Sequence, residues 1–215
     1  MSNMRHLRPS DHWILQADRL LRTLSRQAVS SQRPHPDSDI AATPLSAAEK
    51  RHAAGLMRVN HSGEVCAQGL YQGQALTARL PAVREQMAQA AREEVDHLAW
   101  CEHRVHELGF TTSRLNPLWY GLSFVVGAVA GLAGDEVSLG FVAETERQVG
   151  RHLHDHLARL PAQDHKSRAI VALMAEDEER HGAQARAAGG IALPPPVTRL
   201  MQAMAKVMTR SAYRV

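Results

Sequence analysis

The chain has few of the features that would place it in several large protein classes. Only two of its 215 residues are cysteine, Cys66 and Cys101, and they form no CxxC pair. That excludes a disulfide framework and points to a reducing compartment. Aromatic residues are scarce, at 4%, and no basic stripe interleaved with aromatics runs along any segment, so nucleic acid is excluded as a partner. A net charge of +3 with a pI near 9.2 is too mild to argue otherwise. No apolar signal-peptide core opens the chain, and its Arg-rich start is interrupted by Asp11 and Asp18, which argues against an organelle transit peptide. No Rossmann glycine fingerprint or flavin motif occurs.

What remains is rich in Ala and Leu, with long stretches free of Gly and Pro. This composition favours an all-helical single domain large enough for a sizeable core. A short amphipathic helix is expected over 11–28, then a Ser-, Pro- and Asp-rich linker over 30–44. Ser46 and Glu49 form a capping box that opens a long helix A over 46–79. Pro81 opens helix B, about 82–108. Leu115 to Gly134 is a run of 20 residues without charge. Helix C follows over about 136–159, helix D over about 163–188, and a final amphipathic helix over 197–213. The A–B and C–D connections are short and the B–C connection is long, the ferritin-like four-helix arrangement with one crossover. The expected organisation is residues 1–45 as N-terminal helix and linker, 46–190 as the bundle including the apolar crossover 115–134, and 191–215 as a C-terminal amphipathic helix at a membrane surface.

Six residues read as one metal site written twice. Glu64 precedes an ExxH pair, Glu94 and His97; Glu146 precedes a second, Glu178 and His181. The gaps from lone Glu to ExxH are 30 and 32 residues. This is the ligand set of a carboxylate-bridged two-metal bundle. Periodicity selects the ligands. In helix B the apolar stripe runs Met87, Ala90, Glu94, His97, Cys101, Val105, Leu108. In helix D it runs from Ile170 or Val171 through Met174, Glu178 and His181 to Ala185. In helix C, Glu146 lies in line with Leu139, Val142, Val149 and Leu153, whereas Glu144 shares the polar side with Gln148, Arg151 and Asp155. In helix A, Glu64 is the only acid between Glu49 and Glu85. Four converging carboxylates would repel one another unless two divalent cations supplied the balancing charge. Mixed oxygen and imidazole ligands suit iron or manganese.

Other features leave alternatives open. Glu93 and Asp177, each directly before an ExxH Glu, are either partners for the imidazoles of the opposite half or solvated acids. The tract His152-Leu153-His154-Asp155-His156 reads as a solvated face rather than a metal tract. Tyr71 and Trp100 read as core near the site. The run 115–134 is long enough to span a bilayer, but a span would place the two hairpins on opposite sides of the membrane and split the site. It is therefore read as a helix that packs on the bundle or dips into a membrane from one side. The last segment sets Val197, Leu200, Met201, Met204, Val207 and Met208 on one face, flanked by Arg199, Lys206, Arg210 and Arg214. It suits either a membrane surface or the bundle.

The segments Asn60-His61-Ser62-Gly63-Glu64, Glu93-Glu94-Val95-Asp96-His97-Leu98 and Glu178-Glu179-Arg180-His181 resemble the demethoxyubiquinone hydroxylase family of ubiquinone biosynthesis, from about residue 46 to the C-terminus. The resemblance implies a membrane-bound, O2-dependent non-haem di-iron monooxygenase that hydroxylates the ring of a polyprenyl methoxy-benzoquinone. It implies two iron ions held by Glu64, Glu94, His97, Glu146, Glu178 and His181, and reducing equivalents from outside, either a reduced nicotinamide or a reductase. The expected location is the cytoplasmic side of a bacterial inner membrane, as a peripheral protein. Exposed apolar helices leave room for a homodimer, though no interface is legible. The competing reading is a ferritin-like protein of iron storage or peroxide detoxification, against which the uncharged run argues.

Overall fold

A computed structural model of the chain describes residues 18, 20, 21, 23 and 31–215. Most of the helix expected over 11–28 lies outside the described residues. Six helices follow: α1 (Ala47–Thr77), α2 (Pro81–Glu107), α3 (Asn116–Leu132), α4 (Asp135–Arg159), α5 (His165–Ala187) and α6 (Pro195–Ala212). The described residues contain no strand, and the protein is all-α.

The helix boundaries follow local chemistry. Ser46 and Glu49 cap α1 reciprocally. Pro81 occupies the first turn of α2, where its missing N–H is not needed. Asp164 caps α5 by accepting from Ser167 N at 3.1 Å. At the joint between α3 and α4, Gly134 has φ +125°, a conformation that side chains with a Cβ rarely adopt, and this lets the chain turn within two residues.

α1 pairs with α2 and α4 with α5, and the two hairpins face each other through α1–α4 and α2–α5 contacts. Two apolar clusters fill the bundle. One holds Leu56, Met57, Trp100, Cys101, Leu153, Ile170 and Met174. The other holds Tyr71, Met87, Leu139, Val142 and Ala185. In each cluster, early residues of α1 and α5 meet late residues of α2 and α4, or the reverse, so each hairpin is antiparallel. The level between the clusters contains Glu64, Glu94, His97, Glu146, Glu178 and His181.

The uncharged run forms a 17-residue helix, α3, that packs along α1. No helix among the described residues is long and apolar enough to cross a membrane. Small residues bring the backbones of α1 and α3 together. A Cβ on Gly73 would lie 2.2 Å from the Phe124 carbonyl oxygen, and one on Gly127 would lie 2.2 Å from that of Leu70. Ser62 donates to Asn116 Oδ1 at 2.8 Å, fixing the start of α3 beside α1. The opposite face of α3 presents Leu118, Leu122, Val125, Val129 and Leu132 to the exterior.

α6 is anchored at its C-terminal end. Ala212 is buried, the Tyr213 hydroxyl lies 2.8 Å from His52 Nδ1, and Arg58 donates to the Tyr213 carbonyl at 3.2 Å. Val197, Leu200, Met204 and Val207 remain exposed. Residues 31–40, expected as part of a linker, lie against the bundle instead. Asp37 is buried and pairs with Lys166 at 3.8 Å.

The close approach makes the crossover sensitive to single methyl groups. Gly73→Ala is expected to cost about 1–3 kcal/mol through overpacking. Gly121→Ala, where the new Cβ meets nothing within 4 Å, is expected to be neutral or to stabilise by up to about 1 kcal/mol. Urea denaturation of the two variants measures the difference.

Candidate metal centre

All six residues selected from periodicity are buried: Glu64, Glu94, His97, Glu146, Glu178 and His181. Glu64, Glu94, His97 and Glu178 offer ligand atoms that all lie within 4.8 Å of one another. His97 Nδ1 is 2.7 Å from Glu94 Oε2, 3.4 Å from Glu178 Oε1 and 3.9 Å from Glu64 Oε2. His181 Nδ1 is 2.9 Å from Glu94 Oε1 and 3.9 Å from Glu178 Oε2. Glu94 and Glu178 thus lie between the two imidazoles, whose ring centroids are 6.5 Å apart. Glu64 sits on the His97 side. Glu146 lies beside Glu178, and its Oε1 accepts from the Tyr71 hydroxyl.

The donor atoms fit a metal. Both oxygens of Glu94 and the Nδ1 atoms of His97 and His181 are buried and make no hydrogen bond, although they approach one another within hydrogen-bond distance. Orphaned polar atoms at this depth are costly, so a cluster whose lone pairs converge is suited to a cation. The outer ring nitrogens complete the pattern. His97 Nε2–H donates to Asp177 Oδ2 at 2.8 Å, and His181 Nε2–H donates to Glu93 Oε2 at 2.8 Å. Each bond fixes the tautomer that turns Nδ1 inward. The exchange is reciprocal: the acid preceding each ExxH pair serves the imidazole of the other hairpin.

Electrostatics point the same way. Burial pushes the Glu64 carboxyl well above the usual carboxylate range, with Glu94 adding to it. Burial and the neighbouring Glu178 do the same to Glu146. Burial opposes charge on His97 and His181, but the surrounding carboxylates outweigh it; His97 stands well above its ordinary value and His181 is raised to about 10. Burial opposes charge on Glu94 and Glu178 as well, but the imidazoles around them help to hold both below the usual carboxylate range, and metal binding would compete with protons for these groups.

Glu144 lies outside the cluster, held by Arg147 at 2.5 Å and Gln148 at 2.6 Å on the half-exposed side of α4. The His152–His156 tract differs from its sequence reading. His154 is exposed, but His156 is buried and its ring lies 3.9 Å from that of His152, because position 156 continues the inward line of Leu153. The tract gathers no metal-ligating group among the described residues. Tyr71 and Trp100 are core, as expected, and both also touch the centre: Tyr71 through Glu146, and Trp100 by packing its ring 5.5 Å from that of His97. Sequence reasoning assigned no role to Arg33, which carries no motif, or to Asp96, which lies within the segment 93–98 but outside the apolar stripe. Arg33 pairs with Asp96 and Asp177, each at 2.8 Å.

Residues 51–212 match the family described as ubiquinone biosynthesis protein COQ7. The chain belongs to this family. It is 58% identical to a protein of Pseudomonas paraeruginosa named 3-demethoxyubiquinol 3-hydroxylase, and 57% identical to proteins of the same name from Pseudomonas fluorescens and Stutzerimonas stutzeri. In each case 215 residues align, covering both chains in full.

The burial contrast on α4 separates the two candidate acids. Glu146→Gln is expected to lower the metal bound per chain, and Glu144→Gln to leave it unchanged, as measured by elemental analysis of folded protein.

Proposed function

We propose that the chain hydroxylates the ring of a polyprenyl demethoxyubiquinol in ubiquinone biosynthesis, as an O2-dependent oxidoreductase with two iron ions held by Glu64, Glu94, His97, Glu146, Glu178 and His181. The observation that carries this reading is the convergence of four carboxylates and two inward Nδ1 atoms on one buried level of the bundle. Membership of the COQ7 family and the name borne by full-length relatives support the substrate class.

Two iron ions in this cluster would supply O2 binding and reduction for insertion of one oxygen into an electron-rich ring. Glu94 and Glu178, placed between the imidazoles, would be among the residues that hold the metals. Glu64, beside His97, and Glu146, beside Glu178, would supply the remaining carboxylates. Asp177 and Glu93 hold the imidazoles in the orientation and tautomer that ligation requires. The Tyr71 hydroxyl holds Glu146 from the side of the second apolar cluster. Trp100, whose ring packs on His97, and the buried Met174 would shield that side of the cluster from water.

A cavity of about 470 Å3 under α6 reaches Glu64 and is walled mainly by apolar groups, among them Val59, Val149, Leu153 and Met208. It offers the substrate ring a route to the centre. A polyprenyl tail favours a lipid surface, and the exposed apolar faces of α3 and α6 suit peripheral attachment there, with Arg199, Lys206, Arg210 and Arg214 favouring anionic headgroups. The chain carries no dinucleotide fingerprint, so electrons would come from an external reductant.

The test is turnover of a short-tailed demethoxyubiquinol by iron-loaded protein under 18O2 with a supplied reductant. The expected product gains one labelled oxygen. Protein that consumes O2 or peroxide without labelled product would contradict the hydroxylase and favour iron storage or peroxide chemistry.

A further inference from the structure

Arg33 reaches the metal centre from outside the bundle. It lies on the segment that precedes α1, beyond the 51–212 span that matches the family. Its Nη2 is 2.8 Å from Asp177 Oδ2, the same oxygen that accepts from His97 Nε2–H at 2.8 Å. Its Nε donates to Asp96 Oδ2 at 2.8 Å, and Gln32 N donates to Asp96 Oδ1 at 2.6 Å. Its guanidinium lies 4.7 Å from the centroid of Trp100, whose ring packs in turn on His97. Arg33 therefore fixes both the carboxylate that orients His97 and the aromatic ring beside it. Arg180 holds the other oxygen, Asp177 Oδ1, at 2.5 Å.

Among the described residues, no arginine from outside the bundle reaches the opposite half. Glu93, the partner of His181, is held by Gln89 at 3.0 Å and faces Arg180 at 3.6 Å, and its side chain is 33% exposed against 8% for Asp177. The duplicated site is thus symmetric in its inner residues and asymmetric in what surrounds them. Asp37, buried and paired with Lys166, anchors the covering segment at a second point.

We propose that Arg33 is a positioning residue of the metal centre, acting through Asp177 on His97, so that the segment 31–40 makes the metal position at His97 tighter and more rigid than the one at His181. This rests on the two-metal reading above. A partner that orients a metal-bound imidazole commonly governs affinity by 10- to 100-fold. An aspartate oxygen shared between an imidazole and a guanidinium loses part of its fixed direction when either is removed.

The experiment is anaerobic Fe(II) titration of the full chain against a competing chelator. Wild-type protein should show two binding constants. Arg33→Ala is expected to weaken the tighter of them about tenfold, the low end of the range because Arg180 remains, and to leave the weaker unchanged; weakening of the weaker constant alone would contradict the proposal. Asp177→Asn should weaken the same constant, and the double variant should be no weaker than Asp177→Asn alone, because both act along one path. Arg33→Lys should recover only part, since an ammonium cannot bridge Asp96 and Asp177 as the guanidinium fork does; this variant carries the test if Arg33→Ala does not fold. Equal weakening of both constants, or full additivity with Asp177→Asn, would show a general structural role and overturn the proposal. Unchanged constants in Arg33→Ala would overturn it while the metal centre stands. A wild-type chain that takes up no stoichiometric iron would overturn the metal-centre reading and this inference with it.

Discussion

The structure depends on placing four carboxylates and two imidazoles, all buried, around one point between two apolar clusters. Each carboxylate removed from water without a partner costs several kcal/mol, and among the described residues no Lys or Arg pairs with these four carboxylates to offset it. Two divalent cations would balance four carboxylates and draw on the lone pairs of both Nδ1 atoms. The rest of the bundle holds these groups in place: Tyr71 against Glu146, Asp177 against His97 and Glu93 against His181.

The two hairpins make that arrangement by repetition, and α3 makes it possible by its route. A connection that packs on α1 through Gly73 and Gly127 carries the chain from α2 to α4 along the outside of the bundle. It also turns a row of branched aliphatic residues outward, on the same chain whose last helix exposes a second apolar face. A buried cluster of carboxylates and imidazoles and two apolar outer faces thus occur in one chain, as the proposed chemistry on a quinol ring with an apolar tail would require.

The burial of these six residues was legible in the sequence, because acids and histidines interrupt helical stripes that are otherwise apolar. Glu94 and His97 stand in the line of Met87 and Cys101, Glu178 and His181 in that of Met174 and Ala185, and the structure buries each of them. The same rule separated Glu146 from Glu144. Helix boundaries were readable where capping or proline chemistry set them, at Ser46 and Pro81. Periodicity was less informative at helix ends and outside helices. His156 is buried although its tract looked solvated, because two neighbouring histidines and Asp155 masked its register with Leu153. Arg33 had no stripe, cap or motif to mark it, and its role depends on a long-range contact with Asp177, 144 positions along the chain.

The central claim, two metal ions on one buried level of the bundle, is tested most directly by anomalous diffraction at the iron absorption edge from crystals of anaerobically iron-loaded protein. It predicts two peaks per chain, one beside His97 Nδ1 and one beside His181 Nδ1, with Glu94 and Glu178 between them. A single peak, or peaks elsewhere with the six side chains hydrogen-bonded only to one another, would contradict it.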